Sequence, residues 1–231
     1  MTAAFEQPLV GGRQTPGIVR VGNTVRRPPH ARSEYVHEVL RHLETVGFDG
    51  APRVLGFDAD GREMLSYIDG EVPDGPSVRF SDERLASAAV LIRRFHDATA
   101  GTTLAGGGEV VCHGDLGDHN TVFQGEMAVG LIDWDDGVAP GSRLCDFAHA
   151  AWCFAAVGED ALSVPDQARA VEVMCTAYGW EDRHAIIDEI ANRHRRARND
   201  HASHGRRKAV KVFEDMIRVM DLAMPDLKAR L

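Results

Sequence analysis

The interpretation of this chain depends on two stretches, His113-Gly-Asp-Leu-Gly-Asp-His-Asn120 and Ile132-Asp-Trp-Asp135. The first places the carboxylate of Asp115 five residues before the amide of Asn120, and the second supplies a further carboxylate, Asp133. Carboxylate and amide oxygens are the ligands that Mg²⁺ prefers. The two stretches therefore combine a candidate base with two candidate metal ligands.

The residues between these stretches predict a β-hairpin. Thr121–Phe123 and Val129–Ile132 are rich in β-branched residues, and Gln124-Gly125 lies between them as a turn. A hairpin would return Asp133 to the side of Asn120, although the two are 13 positions apart. Transfer of a γ-phosphoryl group needs a carboxylate near the attacking hydroxyl and metal ions held by oxygen ligands. This topology is therefore typical of phosphoryl transfer.

With these motifs the chain resembles the aminoglycoside phosphotransferase and choline kinase-like family. The resemblance implies that Asp115 is the catalytic base and that Asn120 and Asp133 bind Mg²⁺, with ATP or GTP as co-substrate. Pro140-Gly-Ser-Arg-Leu-Cys-Asp146 also matches the family, which implies that Asp146 supports the loop. His113 is expected to be a buried residue that organises the same loop.

The resemblance extends from about Met64 to Ala148, and upstream it includes Met64-Leu-Ser-Tyr-Ile-Asp-Gly70. In the family this segment is the connector whose backbone meets the adenine, which implies nucleotide contacts at Tyr67 and Ile68. The fold expected is α+β, a bilobal protein-kinase-like fold. Its first lobe, 1–68, would be an abbreviated sheet with one helix; its second, 69–231, would be mostly helical with a short β-hairpin.

The expected first lobe lacks two parts of a full kinase lobe. The glycine-rich GxGxxG motif that covers the phosphates is absent, and Gly11-Gly12 and Gly22 are only weak substitutes for it. The strand lysine is also absent, because the first lysine of the chain is Lys208. By position Arg27 or Arg26 could replace the strand lysine on the phosphates, although alternation along a strand lets at most one face the cleft. Either could equally be a surface strand residue.

The helix residue that would orient this cation is also open. Glu34, His37 and Glu38 all lie near the expected position, and the spacing from Leu43 favours none of the carboxylates. The complete set of Asp115, Asn120 and Asp133 favours a working enzyme. The alternative is a catalytically weak or inactive kinase-fold protein that acts as a nucleotide-binding or scaffold module.

Around the motifs the periodicity predicts the remaining elements. Residues 1–16 are expected to be a loose arm and Ser33 to cap the first helix. The predicted elements are a hairpin of Ile18–Val21 and Thr24–Arg27, a helix from Glu34 to Val46, strands Arg53–Phe57 and Glu63–Ile68, a helix from Ser81 to Thr99, a strand Glu109–Cys112, and helices from Cys145 onward with breaks near Val157, Ser163, Gly179 and Gly205.

Composition limits the function classes. The net charge of -9 over 231 residues argues against a general nucleic-acid binder, which usually carries a basic face. The arginines within 193–198 and 204–208 fit a solvated helix face or, as an alternative, a patch for an anionic substrate. No apolar stretch of about 18 residues predicts a membrane span, and no signal peptide is expected. The chain is therefore expected to be cytoplasmic. The family resemblance, in turn, implies a small-molecule hydroxyl compound as the acceptor.

Overall fold

A computed structural model describes residues 5–9, 17–73 and 79–231. The first part of the chain forms a five-stranded antiparallel sheet, with strand order β1-β2-β3-β5-β4, and one helix. Its elements are β1 (Gln7–Pro8), β2 (Val19–Val21), β3 (Thr24–Arg27), α1 (Ser33–Thr45), β4 (Val54–Phe57) and β5 (Glu63–Ser66). The expected α+β, kinase-like division into a small sheet and a larger helical part is confirmed.

The larger part is mostly helical and contains two short strand pairs, β6 with β9 and β7 with β8. Its elements are α2 (Asp82–Thr99), β6 (Val110–Cys112), β7 (Thr121–Gln124), β8 (Met127–Leu131), β9 (Ala139–Gly141), α3 (Arg143–Ala155), α4 (Val164–Tyr178), α5 (Arg183–Ser203) and α6 (Arg207–Ala229). No helix among the described residues is long and apolar enough to span a membrane.

The core forms around α2, which packs against α4, β6 and β8. Ser81 caps this helix by accepting a hydrogen bond from the N–H of Arg84, as expected for a serine at that position. One face of α2 is buried throughout, consisting of Leu85, Ala88, Ala89, Ile92, Phe95 and His96. Trp134, which is fully buried, packs edge-on against Phe95 with ring centroids 5.1 Å apart. The residue next to Asp133 is thereby anchored in the centre of the molecule.

Two expectations about the first part of the chain were wrong. Ser33 does not cap α1, because Arg32 occupies the cap position and the Ser33 hydroxyl instead accepts a hydrogen bond from the N–H of His30. The arm of residues 1–16 is not wholly loose, because Gln7–Pro8 pairs with β2. This two-residue strand forms because the edge of β2 is free to pair with it. The pairing leaves no hydrophobic pattern in the sequence, so it could not be predicted.

Backbone hydrogen bonds join the sheet to the helical part close to the connector. Glu71 and Phe123 exchange two of them, at 2.8 and 2.7 Å, and the N–H of Leu131 donates to the carbonyl of Gly50. Gly70 is essential at this joint, because its φ is +149° and a Cβ there would lie 2.5 Å from the carbonyl oxygen of Phe123. The β7–β8 hairpin is consequently held against both parts of the molecule.

Candidate active site

The β7–β8 hairpin places Asn120 and Asp133 at its open end. Thr121 pairs with Leu131, and the N–H of Ile132 donates to the carbonyl of Asn120 at 2.9 Å. The ladder therefore runs one residue beyond the strands, and Asp133 follows directly.

Asp115 is tied to Asn120. The side-chain amide of Asn120 donates to the backbone carbonyl of Asp115 at 2.9 Å and to its carboxylate at 3.1 Å. Asn120 itself is buried. Since the amide nitrogen is used in this way, and no residue that the structure describes donates to the amide oxygen, that oxygen is the atom available to a ligand.

Two imidazoles flank the Asp115 carboxylate, one on each oxygen. Nε2 of His149, from α3, lies 3.1 Å from Oδ1, and Nε2 of His119 lies 3.4 Å from Oδ2. These contacts hold the pKa of Asp115 far below its usual range, so the group is ionised at neutral pH. The side chain is 49% exposed, and a substrate can therefore reach it.

The two imidazoles differ in protonation. The carboxylates of Asp115 and Asp118 raise the pKa of His119 to about 9, so this ring is a cation at neutral pH. Burial lowers the pKa of His149, so that ring is neutral and carries its proton on Nε2, facing Asp115. Sequence reasoning identified neither histidine as a partner of Asp115. The one available signal for His149 was its position three residues after Asp146 on the same helix.

Asp133 has an unusual backbone conformation. Its φ is +62°, in the left-handed region that non-glycine residues rarely adopt. Its carboxylate reaches solvent and has no hydrogen-bond partner among residues 5–9, 17–73 and 79–231. Crowding by surrounding protein, together with the charge of Asp135, raises its pKa. Strained backbone conformations are often found at binding sites. Here the strained residue carries an unpaired carboxylate that lies near a second negative charge.

Asp146 holds the loop of residues His113–Asn120 in place. Its carboxylate accepts hydrogen bonds from the N–H groups of His113 and Gly114, at 2.8 and 2.9 Å, and its Oδ2 lies 3.1 Å from Nε2 of His96. Gly114 adopts a φ of +86°, and a Cβ there would lie 2.4 Å from the carbonyl oxygen of Gly137. These contacts fix the backbone of His113 and Gly114 against α3.

His113 joins the loop to the second motif. Its Nε2 lies 2.9 Å from the carbonyl oxygen of Ile132, and its ring packs edge-on against Trp134 at 4.8 Å between centroids. The residue is fully buried, as expected for a loop-organising histidine. The backbone on both sides of Asp133 is thereby held, on one side by His113 and on the other by buried Trp134.

The two candidate phosphate cations point in different directions. Arg26 lies 3.3 Å from Asp58, in the turn between β4 and β5. Arg27 is buried, and its Nη2 donates to the carbonyl of Trp134 at 2.5 Å. Of the two, Arg27 is therefore the residue that reaches the second motif, at Trp134. It contacts the backbone next to Asp133.

The carboxylate that holds Arg27 is Glu63, on β5. Nε of Arg27 donates to Oε2 of Glu63 at 2.7 Å, and Nε2 of His37 lies 2.9 Å from Oε1, although the ring is not aligned for a hydrogen bond. Burial raises the pKa of Glu63, but the Ser33 hydroxyl and the Arg27 guanidinium outweigh it and lower the pKa overall.

Sequence reasoning missed Glu63 because it searched the helix for this carboxylate. Glu34 and Glu38 are exposed, and only His37 of the three candidates faces inward. A signal was available in β5, where Glu63 shares the inward face with Leu65. A carboxylate at a core position of a strand requires a charged or hydrogen-bonding partner.

The connector offers a backbone edge at Ile68. The N–H of Tyr67 donates to the carbonyl of Asn23, and the Tyr67 ring lies 3.6 Å below the guanidinium carbon of Arg20. Within the described ranges the N–H of Ile68 has no backbone partner. Gly11-Gly12, considered as a phosphate-covering turn, lies outside the described residues; Gly22, its other candidate, forms the β2–β3 turn.

Comparisons with known proteins place these observations in a family. Residues 102–187 match the group described as "Phosphotransferase enzyme family". The trifolitoxin immunity protein of Rhizobium leguminosarum bv. trifolii is 35% identical over 206 residues, covering 78% of this chain and 77% of that protein.

Solved structures of phosphotransferases share the fold. Spectinomycin phosphotransferase, solved with ADP and spectinomycin, superposes with a TM-score of 0.63 at 12% identity, covering 98% of this chain and 93% of that chain. An aminoglycoside phosphotransferase in complex with gentamicin gives a TM-score of 0.62 at 12% identity, with 92% and 90% covered. A macrolide 2'-phosphotransferase of Brachybacterium faecium gives 0.59 at 13% identity, with 87% and 86% covered.

Proposed function

The chain belongs to the aminoglycoside phosphotransferase family of phosphotransferase enzymes, and from this premise we propose that it transfers the γ-phosphoryl group of ATP or GTP to a hydroxyl of a small molecule. The observation that carries the proposal is the grouping of Asp115, Asn120 and Asp133 at the open end of one hairpin. Asn120 is bonded to Asp115 and, through its carbonyl, to the residue before Asp133.

In this proposal Asp115 is the catalytic base. It is ionised at neutral pH and half exposed. Oδ2 already contacts His119 and Asn120, whereas Oδ1 keeps a lone pair beyond its contact with His149. It can therefore accept a hydrogen bond from the acceptor hydroxyl, orient the oxygen toward the γ-phosphorus and take up the proton as the new bond forms. His149, neutral and buried, keeps the carboxylate in place.

The residues present fit Mg²⁺. The free amide oxygen of Asn120 and the unpaired carboxylate of Asp133 are both hard oxygen donors. Together they would hold the ion. An ion held there would supply positive charge to the phosphates of the nucleotide. The contribution of this chain is to hold the two donors rigidly, through the hairpin ladder, His113 and Trp134.

We place the nucleotide between the sheet and this site, with residues 1–68 as the nucleotide lobe and 69–231 as the catalytic lobe. The free N–H of Ile68, beside Tyr67, supports an adenine or guanine contact at the connector. Arg27 is the better candidate for the role of the missing lysine, because Arg26 pairs with Asp58 on the sheet.

An antibiotic-type compound is the acceptor we propose. The relative is named for immunity to trifolitoxin, and the structural neighbours are named for spectinomycin, gentamicin and macrolides. Phosphorylation of a hydroxyl adds roughly two negative charges, which would weaken the binding of such a compound to its target. A hydroxyl-bearing amino alcohol or sugar would use the same chemistry.

A second candidate is a non-catalytic nucleotide-binding module. It is favoured by the contacts of Arg27, whose Nε is bound to Glu63 and whose Nη2 is bound to the carbonyl of Trp134. An arginine engaged in this way contributes fewer donors to phosphates than a free lysine would. The intact set of Asp115, Asn120 and Asp133 favours the enzyme over this candidate.

The test is phosphoryl transfer from Mg·ATP and Mg·GTP to trifolitoxin, spectinomycin, gentamicin and a macrolide, followed by mass spectrometry of the acceptor. One added phosphoryl group is expected, and Asp115→Asn should reduce the rate roughly 100- to 10,000-fold. Asp60→Asn, in an exposed turn 80% open to solvent, is the matched control and should retain full activity. Nucleotide-induced thermal stabilisation without transfer would support the second candidate. If the assays detect no phosphoryl transfer and no nucleotide-induced stabilisation, both candidates are overturned.

A further inference from the structure

Beside the proposed active site, Asp118, His119 and Cys153 form a cluster of three different metal-ligating groups. A carboxylate oxygen, an imidazole nitrogen and the sulfur all lie within 4.8 Å of one another. Asp118 and His119 belong to the catalytic loop, and Cys153 comes from α3. In the proposed phosphoryl transfer Asp118 and Cys153 have no role.

The packing of the loop against α3 builds this cluster. Cys153 follows His149 by four residues, so both side chains lie on the helix face that meets the loop. A Cβ on Gly117 would lie 2.6 Å from Cε1 of His119 and 3.1 Å from Cβ of Cys153. Only glycine at 117 therefore lets the loop come close enough to bring the ring and the thiol together.

The cluster contains a nearly buried carboxylate, Asp118, and is open to solvent on the side of His119. The Asp118 side chain is only 11% exposed, and its carboxylate lies 3.5 Å from Nδ1 of His119, its one ion-pair partner among the described residues. A buried carboxylate needs compensating positive charge. His119 is 49% exposed, so its side of the cluster is open to solvent and provides an entry path for an ion.

We propose that Asp118, His119 and Cys153 bind a divalent cation that favours sulfur ligands, and that this cation is zinc. Zinc accepts all three donor types at about 2.0–2.3 Å, which requires the donor atoms to approach one another by about 1 Å. Small changes in the side-chain torsions of Asp118, His119 and Cys153 would provide that movement. The thiol and the His119 imidazolium each release one proton to solvent as the sulfur and the ring nitrogen bind the ion, and a water molecule completes the tetrahedron.

This site is chemically separate from that of Asn120 and Asp133. Magnesium prefers oxygen donors and does not select a thiolate, whereas zinc favours nitrogen and sulfur. Binding of zinc withdraws His119 from Asp115 and places positive charge beside the carboxylate. On the basis of the proposed function, we therefore expect zinc to inhibit phosphoryl transfer.

The test measures binding apart from turnover. Purified protein, reduced and metal-free, is titrated with Co²⁺, and a sulfur-to-cobalt charge-transfer absorption is expected in the wild type and in Cys145→Ser. Cys145 is a matched control because it is also a half-buried cysteine of α3, near Glu189 and away from the cluster. The absorption should be absent from Cys153→Ser. Competition with a chromophoric chelator should show one zinc ion bound and at least a tenfold loss of affinity in Cys153→Ser and in His119→Gln.

Thermal unfolding without metal, compared across the variants, identifies any variant that fails to fold; His119→Gln, at an exposed position, is then the deciding one. Equal zinc affinity in wild type and His119→Gln, or a cobalt spectrum unchanged by Cys153→Ser, would overturn the proposal. So would an equal loss in Cys145→Ser. Because these readouts need neither nucleotide nor acceptor, an inactive protein that still binds zinc would refute only the proposed function.

Discussion

Glu63→Gln tests the reasoning about the buried ion pair most directly. The substitution keeps the volume of the side chain but removes the charge that balances Arg27, which lies 2.7 Å away with its side chain 7% exposed. Removing one partner of a buried pair costs about 3–5 kcal/mol, because the other charge stays buried and uncompensated. Arg27 keeps its hydrogen bond to the carbonyl of Trp134, so we expect a loss near the lower end, about 3 kcal/mol.

For a chain of this size, about 3 kcal/mol corresponds to a fall in Tm of about 6–12 °C. The measurement is urea unfolding, supported by thermal unfolding at pH 7. Asp215→Asn breaks the exposed Lys211–Asp215 pair, whose 2.8 Å distance is similar but whose side chains are 62% and 48% exposed. This control should cost less than about 1 kcal/mol.

The pH dependence of the same variant has a definite sign. The pKa of Glu63 is lowered in the folded protein, so its stabilising effect is present above the unfolded-state pKa and is lost as pH falls through the folded pKa. The deficit of Glu63→Gln should therefore shrink toward acid pH. In Arg27→Met with Glu63→Leu, stability should return to within about 1–2 kcal/mol of wild type. The reasoning would be refuted if Glu63→Gln lost no more unfolding free energy than Asp215→Asn. It would also be refuted if the loss in the double variant equalled the sum of the losses in Arg27→Met and Glu63→Leu alone.

Three further predictions concern the site and its supports. Asp133→Gly should relieve the φ of +62° and raise stability by up to about 1 kcal/mol in urea unfolding, while abolishing stabilisation by Mg·ATP. Asp146→Asn should cost about 2–4 kcal/mol, because charged hydrogen bonds to the loop N–H groups are weakened; a cost below about 1 kcal/mol would contradict its role. Burial and the charge of Arg193 lower the pKa of His194 to about 4, so stability should fall by about 3 kcal/mol between pH 6.5 and pH 4, and His194→Phe should remove that part of the acid sensitivity.

Local patterns in the sequence were sufficient for most of the elements. Alternation and a Gly-Asn turn predicted the β2–β3 hairpin, which the structure confirms with Val21 paired to Thr24. Helical spacing predicted the buried face of α1 at Val36, Leu40 and Leu43, all fully buried. These predictions succeed because propensity, turn chemistry and periodicity act between neighbours in the chain.

Contacts between distant residues were not predictable in the same way. Arg27 and Glu63 are 36 residues apart, and Arg27 reaches Trp134 over 107 residues. No local pattern states which carboxylate will face a given arginine. The search on α1 relied on the family's arrangement, whereas here β5 supplies the carboxylate and α1 supplies His37.

The sequence by itself determined the family, the kinase-like fold and the proposed set of Asp115, Asn120 and Asp133. It could do so because these residues lie in two short motifs joined by one hairpin, all of which are local features of the chain. Only the tertiary structure decided what surrounds them. It places His149 and His119 on Asp115, turns Asp133 into a left-handed conformation and ties Arg27 to the backbone beside it. The physical reason is that hydrogen bonds and buried charges are satisfied by whichever groups the packed chain brings within reach, whatever their separation in sequence.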